Sequence, residues 1–469
     1  MKPFKDSILL EDGNRVGVVG GGPAGSLFSY FLLLLAKRFG RDIQLDIYET
    51  RTFEQPGSAG CNMCGGIISE SLVQSLAVEG INLPDTVVQR GIESYVLHTE
   101  YGTRRLETPV GEKRIAAVHR GGGPRTVRKL KWQSFDAHLL NLAIAEGANH
   151  HADRVTGLGW YGDKPQVQVK GEPSQTYDLL VGAVGMNSPA LALFEQMGFN
   201  YQRPKPTKTY ITELAFGSDS IGELFGNSMH VFLLSIPRLD FAALIPKGDY
   251  LTTCLLGENI DKELIASFFE HPAVRECFPA NWELPADGCH CAPKMFFGDA
   301  RNPYTDRVVL IGDAGISRLY KDGIGGAYRT AKAAARTAIF QGISSADFRA
   351  DYMTECRRIS WDNQFGRLVF LVVHGIKKLG FPASAVLKTI QAESVLPGKR
   401  RRMSMVLWDT FTGSAPYRDI FFRTLHPLFL GPFMLRNVWA ALLFWRKTNK
   451  SSGAKARKVS HAPSIPQEK

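Results

Sequence analysis

Arg15-Val16-Gly17-Val18-Val19-Gly20-Gly21-Gly22-Pro23-Ala24-Gly25 decides how the rest of the chain is read. Arg15–Val19 is a short apolar run and predicts a buried strand. From Pro23 to Lys37 the pattern is apolar and helical, with Pro23 in the first turn, where its missing N–H costs nothing. Ile43–Tyr48 is a second apolar run and ends at Glu49. The glycines fit G-x-G-x-x-G between strand and helix, the setting in which that pattern has physical meaning. Gly20 permits the tight turn, Gly22 lets a pyrophosphate approach the backbone, and Gly25, beside Ala24, lets helix and strand pack closely. N–H groups at the helix start then face the phosphates. Glu49 can accept both ribose hydroxyls and would repel a 2′-phosphate. Arg51 stands near enough to meet a phosphate or the adenine. The expectation is a Rossmann-type βαβ unit that binds a dinucleotide.

A second signal lies far downstream. Asp306–Gly312 reads as an apolar strand running into Gly312-Asp313-Ala314, and Asp322-Gly323-Ile324-Gly325-Gly326-Ala327 opens an Ala-rich helix to Gln341. A nicotinamide dinucleotide has no need of this element. FAD does, because its ribityl chain and ring system extend beyond the first βαβ unit. Asp313 can bond a ribityl hydroxyl, and the Gly323–Gly326 turn can offer N–H groups and a positive helix end to the flavin edge that becomes negative on reduction.

Between these signals, Tyr177–Val184 predicts a strand ending at Gly185, and Gln133–Glu146 predicts a helix. Met229–Leu234, Phe241–Ile245 and Tyr250–Leu256 read as strands of a separate, largely β layer. Beyond Ser344 the pattern is helical and rich in aromatics. The expected organisation is a discontinuous dinucleotide-binding unit (13–190 with 295–345), a β-rich substrate unit (191–294), a helical region (346–447) and a basic disordered tail (448–469).

The chain has 469 residues and a formal net charge of +11. That length exceeds what one core usually supports. Positive charge clusters at Lys399–Arg402 and from Arg446 to Lys458. No nucleic-acid-binding motif accompanies either cluster, so an anionic membrane surface is the expected partner and nucleic acid is not. Leu425–Trp445 approaches the length of a bilayer span, about 20 residues. It contains Arg436, Asn437, two prolines and a glycine, which favours an interfacial segment. Phe365–Phe381, with Lys377 and Lys378 near its end, is a second candidate. The other reading of both is helices that cover the floor of the substrate unit. Seven cysteines and no apolar signal at the N-terminus predict reduced thiols and a cytoplasmic location, peripheral on a membrane.

The Gly20–Gly25 turn, Gly312-Asp313-Ala314, Asp178–Gly185 with Ser188, and Phe135-Asp136 with Leu139 together resemble the FAD-dependent group that contains p-hydroxybenzoate hydroxylase-like monooxygenases and geranylgeranyl reductases. The resemblance runs from about Arg15 to Ile339, with gaps. It implies a glutathione reductase-like α/β fold, FAD as cofactor, and Gly20, Gly22, Pro23, Ala24, Gly25, Glu49, Arg51, Gly65, Gly66, Gly185, Gly312, Asp313, Gly325 and Gly326 around it. Two departures stand out. Val184 replaces the family's middle-motif Asp, which argues against direct NADPH use. Ile316-Ser317-Arg318-Leu319-Tyr320 stands where a proline is usual.

Cys61-Asn62-Met63-Cys64-Gly65-Gly66 is similar to the Cys-Gly-Gly loop of the geranylgeranyl reductases. Phe241–Gly248 resembles their Y-x-W-x-F-P-K motif, with Phe241 for Tyr and Ala243 for Trp. The resemblance implies Phe241, Ile245 and Pro246 at a prenyl cavity, with Cys64 as a candidate proton donor or a packing residue. The W-x-W-x-I-P of the halogenases is absent; Trp132 and Trp160 stand alone. No metal is expected, although Cys61 and Cys64 could share a zinc with Cys289 and Cys291 if the fold joined them.

Three functions follow as expectations. The first is flavin-dependent reduction of carbon–carbon double bonds in a prenyl or other long apolar substrate. The second is monooxygenation of an apolar or aromatic one. The third is flavin or lipid binding without turnover. The electron donor is open between NAD(P)H and a reduced carrier, including a donor protein.

Overall fold

The computed structural model describes residues 7–442 apart from 58–63, 109–114, 186, 286–287 and 321. Its centre is a six-stranded sheet in the order Tyr304–Thr305, Val308–Leu310, Leu179–Gly182, Arg15–Val19, Gln44–Tyr48 and Asn149–His151. Every pairing in it is parallel except the Tyr304–Thr305 edge. Val16, Val18, Leu45, Ile47 and Leu179 are fully buried. Such strands, covered on both faces, read as unbroken apolar runs rather than alternating ones. Helices Pro23–Arg38, Phe135–Ala145 and Gly323–Phe340 share one apolar core with them.

The strand Arg15–Val19 has its expected bounds, and Pro23–Arg38 runs one residue beyond. The Phe135 helix starts two residues later than expected because the Ser134 hydroxyl caps it, accepting the Ala137 N–H. The middle strand is shorter than Tyr177–Val184. Tyr177 turns its hydroxyl to Asp46 at 2.9 Å, and the Asp178 carboxylate accepts the Arg15 N–H at 2.9 Å.

A seven-stranded sheet stands beside this unit, in the order His290–Cys291, Tyr210–Ala215, Tyr250–Gly257, Leu239–Lys247, Ser228–Leu233, Ser94–Thr99 and Gly102–Glu107. The last two strands correct the expected boundary, which left them in the dinucleotide unit. Ser94–Thr99 pairs in parallel with Ser228–Leu233. The chain crosses between the units early, and a strand's own pattern does not say which sheet it will join.

Alternation divides the seven-stranded sheet into two faces. On one, Tyr95, Leu97, Val231, Ala243 and Ile245 pack against the C-terminal helices. On the other, Phe232, Leu244 and Leu255 pack against helices Ser218–Phe225 and Lys262–Glu270. The C-terminal layer comprises Met353–Lys378, Gly380–Glu393, Arg402–Thr412, Tyr417–Leu425 and a helix over 427–442. Trp408 meets the Tyr95 ring edge-on at 5.0 Å. Residues 443–469, including the whole of the expected basic tail, lie outside the described residues.

Among the described residues, no single helix is long and apolar enough to cross a membrane. Lys377, expected at an interfacial end, is buried. Its ammonium donates to the carbonyls of Leu239 and Asp240, at 2.5 and 2.8 Å, and burial pushes it down to about 8. That end of the Phe365–Phe381 segment therefore locks onto the sheet.

Candidate cofactor and substrate site

The cradle begins at the Gly20–Gly25 turn. Gly20 has φ +108, and a Cβ there would meet the Ala183 carbonyl oxygen at 2.6 Å. A Cβ on Gly25 would lie 1.8 Å from the Gly20 carbonyl oxygen. A Cβ on Gly22 would meet nothing within 4 Å, because it faces open space. Two of the three glycines are thus required by the fold itself, and the third keeps a path clear. No side chain caps the N-terminus of the Pro23 helix, so its first turn suits an anion.

Glu49 is 7% exposed at the tip of the second strand. Its carboxylate accepts from the Gly21 N–H at 3.1 Å and from the Arg51 Nε at 3.0 Å. The expected acid and its neighbour therefore form one unit at the cradle rim. Gly312, at φ +60, sits against the same helix start, where a Cβ would meet Ala24 at 2.8 Å. Its N–H bonds Thr330 Oγ1 at 2.9 Å. Asp313 follows and lines the cavity. Loss of solvent pushes its carboxyl up, against the pull of Ser317 and Arg120.

The head of the Gly323–Phe340 helix differs from expectation. Asp322 adopts a left-handed conformation, φ 59, and its carboxylate accepts the Gly325 N–H at 3.2 Å. The Gly326 N–H bonds the Asp322 carbonyl. Gly325 and Gly326 are therefore satisfied inside the helix turn. Gly323 and Ile324 line the cavity in their place.

Arg318, in the segment that lacks the usual proline, is 3% exposed. It donates to Asp322 at 2.5 Å, to Asp362 at 3.3 Å and to the carbonyls of Gly413 and Ala415. The cation also lies over the Tyr417 ring. It neutralises the Asp322 cap and ties this loop to the C-terminal helices.

Cys64, Gly65 and Gly66 also line the cavity; Cys61 lies outside the described residues. Gly66 has φ +62 with the Val118 carbonyl oxygen 2.1 Å from where a Cβ would stand, so this turn admits only glycine. Beneath it Lys247 donates to the Cys64 carbonyl at 3.1 Å and faces Glu213 at 3.8 Å; both are almost completely buried. Burial pushes the Glu213 carboxyl up, opposed by Lys247 and Thr252. Arg120 forks onto Asp136 through Nε and Nη2, at 2.9 and 2.8 Å. Burial opposes the Arg120 charge, yet Asp136 and the Cys64 sulfur outweigh it and its pKa is raised.

Sequence reasoning missed Arg120, Lys247 and Glu213 as site residues. Lys247 stood inside the quoted 241–248 motif, and Arg120 opened a basic glycine-rich loop. Glu213 had no local signal, since its partner arrives across two strands.

One cavity of ≈ 1560 Å³ is lined by Gly20, Gly22, Glu49, Cys64, Arg120 and Asp313, among others, while Lys247 and Glu213 lie behind its wall. Pockets for drug-sized ligands measure about 300–1,000 Å³, so this one has room for a dinucleotide and a further molecule. Gly185 and Val184 line it at the dinucleotide end. Phe241, Ile245, Met229, Val231, Phe370 and Phe411 line the other end. Pro246 does not. It follows Ile245 on a strand, so it points to the opposite face. Cys289 and Cys291 reach the same cavity as Cys64, but among the described residues these cysteines do not bring donor atoms close enough to share an ion.

No protein-family profile matches the chain, and no curated protein matches it. Solved structures do. A geranylgeranyl bacteriochlorophyll reductase-like protein from Thermoplasma acidophilum aligns with TM-score 0.61 and 16% identity, over 88% of this chain and 99% of its own. A flavoprotein/dehydrogenase from Cytophaga hutchinsonii aligns with TM-score 0.55 and 14% identity, over 92% and 99%. A flavin-dependent brominase aligns with TM-score 0.53 and 15% identity, over 86% and 94%. At such identities the likeness speaks for the fold. Taken with the glycine cradle and the Gly312-Asp313 turn against it, it shows that the chain has the Rossmann-type α/β fold of FAD-binding flavoproteins.

Proposed function

We propose that the chain is an FAD-dependent oxidoreductase that reduces carbon–carbon double bonds of a prenyl or other long apolar substrate. The carrying observation is one cavity lined both by the glycine cradle and by an apolar set that includes Phe241, Ile245, Met229, Val231 and Phe370. Gly20, Gly22, Pro23 and Ala24 would hold the pyrophosphate, Glu49 and Arg51 the adenosine end, Asp313 the ribityl chain. When bound and reduced, the flavin supplies a hydride to one alkene carbon. The chain's own part is to hold the alkene in place, keep water out and pass a proton to the other carbon. Phe241, Ile245, Met229 and Phe370 form a dry wall for an apolar chain. The Cys64 thiol lines the same cavity, which makes it our candidate donor. Lys247 and Arg120 fix its loop.

The test is anaerobic and uses dithionite as reductant, so the physiological donor need not be known. Reduced protein mixed with geranylgeranyl-chain lipid should reoxidise without oxygen and yield a product heavier by two hydrogens. Reoxidation by oxygen alone, with a hydroxylated product, would replace this reading with a monooxygenase. A flavin that no candidate turns over would leave a binding protein.

The substrate class agrees with the outer surface of the C-terminal layer, which we assign to a lipid bilayer. Trp361, Leu368 and Val372 recur at helical spacing, as do Leu428, Leu435, Trp439 and Leu442, and all are exposed. Apolar faces of this size are not left to water. Arg400, Arg401 and Arg402 supply the complementary charge for anionic headgroups. Vesicles of anionic lipid should sediment the protein. The Leu435→Asp/Trp439→Asp double variant should lose about 1.5–3 kcal/mol per side chain, more than tenfold in partitioning, and equal binding of both proteins would refute the assignment.

A further inference from the structure

The other face of the seven-stranded sheet carries a cluster that the proposed reaction does not use. His98 stands on strand Ser94–Thr99, His230 on the neighbouring Ser228–Leu233, and Cys277 follows the short helix Pro272–Arg275. His98 Nε2 and His230 Nδ1 are 3.0 Å apart. Cys277 Sγ lies 3.5 Å from His230 Nδ1 and 3.8 Å from His98 Nε2. Zinc bound at about 2.0–2.1 Å to nitrogen and about 2.3 Å to sulfur, in a tetrahedron, places its nitrogens about 3.3 Å apart and nitrogen and sulfur about 3.6 Å apart. The three observed edges fall around those values.

A second observation points the same way. The far nitrogen of His98, Nδ1, meets Thr103 Oγ1 at 3.1 Å, from the next strand of the sheet. A hydroxyl accepting the proton on Nδ1 leaves Nε2 with its lone pair toward the cluster, as outer partners of ligating histidines do. His98 is 5% exposed and stacks on Phe232 at 4.5 Å between ring centres, so its orientation is fixed before any ion arrives. The set also lies apart from the cavity. On the same strand Met229, Val231 and Leu233 line the cavity, while His230 alternates to the reverse face.

We propose that His98, His230 and Cys277 form a zinc site that rivets the segment after helix Lys262–Glu270 to the back of the seven-stranded sheet. Two imidazoles and one thiolate are a borderline-soft set that suits zinc. Binding exchanges the Cys277 S–H, now directed at the Ala273 carbonyl at 3.5 Å, for a thiolate–metal bond and releases one proton. Three protein donors leave one tetrahedral position for water. The assignment does not depend on the flavin reading.

The experiment is elemental analysis and zinc-edge X-ray absorption on the full chain, purified without chelator from zinc-supplemented cells. The expected result is about one zinc per chain, with a single sulfur neighbour and the rest nitrogen or oxygen. Cys277→Ser and, separately, His230→Gln should lower zinc content at least tenfold while flavin content stays as in the parent. If either variant fails to fold, the parent's sulfur count alone decides, because a site built from Cys64, Cys289 and Cys291 would show several sulfurs. Zinc-free parent protein, a sulfur-rich shell, or zinc retained by folded Cys277→Ser would each overturn the proposal and leave a hydrogen-bonded histidine pair.

Discussion

Gly22→Val should purify as a folded protein without yellow colour. The position is unusual among the glycines of the turn, because an added side chain meets no protein atom within 4 Å. Backbone strain is also absent: Gly22 has φ −70 and ψ −173, a conformation open to any residue. The substitution should therefore leave the circular dichroism spectrum unchanged. What the side chain does fill is the space in front of the uncapped helix N-terminus, where a pyrophosphate must approach. A loss of at least about a hundredfold in FAD affinity is expected, or about 2.7 kcal/mol. Flavin absorbance per chain and titration of the apoprotein with FAD measure it. Gly25→Val is the contrasting control. It drives a side chain into the Gly20 carbonyl and should cost the fold as well as the colour. A Gly22→Val protein that keeps its flavin would place the cofactor elsewhere and remove the basis of the proposed function.

Lys247→Met should be the most damaging single change in the β-rich unit. Lys247 and Glu213 are both almost completely buried, and methionine keeps most of the volume while removing the charge. Breaking a buried pair from one side costs about 3–5 kcal/mol, because the remaining charge stays uncompensated. Domains are stable by only about 5–15 kcal/mol, so the loss should be evident in the midpoint of urea unfolding. Adding Glu213→Gln should recover most of it, since the stranded charge is then gone. The pH dependence follows from the direction of the Glu213 shift. Its folded pKa is raised, so the fold favours the protonated acid. That contribution is fully present below the unfolded value, about 4.3, and is lost as pH rises through the folded one. The deficit of Lys247→Met should thus shrink on acidification. A deficit independent of pH would show that packing, rather than charge, holds the site. The change should also weaken flavin retention, because Lys247 supports the Cys64 carbonyl and with it the loop on the cavity wall.

The parts legible in advance share a property. Arg15–Val19, the Pro23 helix and the close approach of Gly25 to Gly20 rest on backbone geometry within a few residues, which a local pattern can encode, whereas Glu49 and Gly312 meet Gly21 and Ala24 from far along the chain. Even there the details moved. Asp322 consumed the Gly325 N–H that had been assigned to the cofactor, because a side chain three residues away in sequence is closer than any ligand. Pro246 was placed at the cavity by motif and removed from it by strand alternation. Arg318, in the segment that lacks the family's usual proline, makes a five-partner clasp that no local pattern announces.

By itself the sequence determined the βαβ unit, its glycine-rich turn and the strand that runs into the Gly312-Asp313 turn. Each depends on short-range constraints: burial on both faces of a strand, a helix start without a cap, a turn that tolerates no Cβ. Only the tertiary structure decided which sheet receives strands 94–107 and how Lys247 meets Glu213. It alone set His98, His230 and Cys277 within reach of one ion. Those arrangements join residues from 34 to 179 positions apart. Their partners are selected by the packing of whole sheets, and no window of sequence contains both sides of the contact.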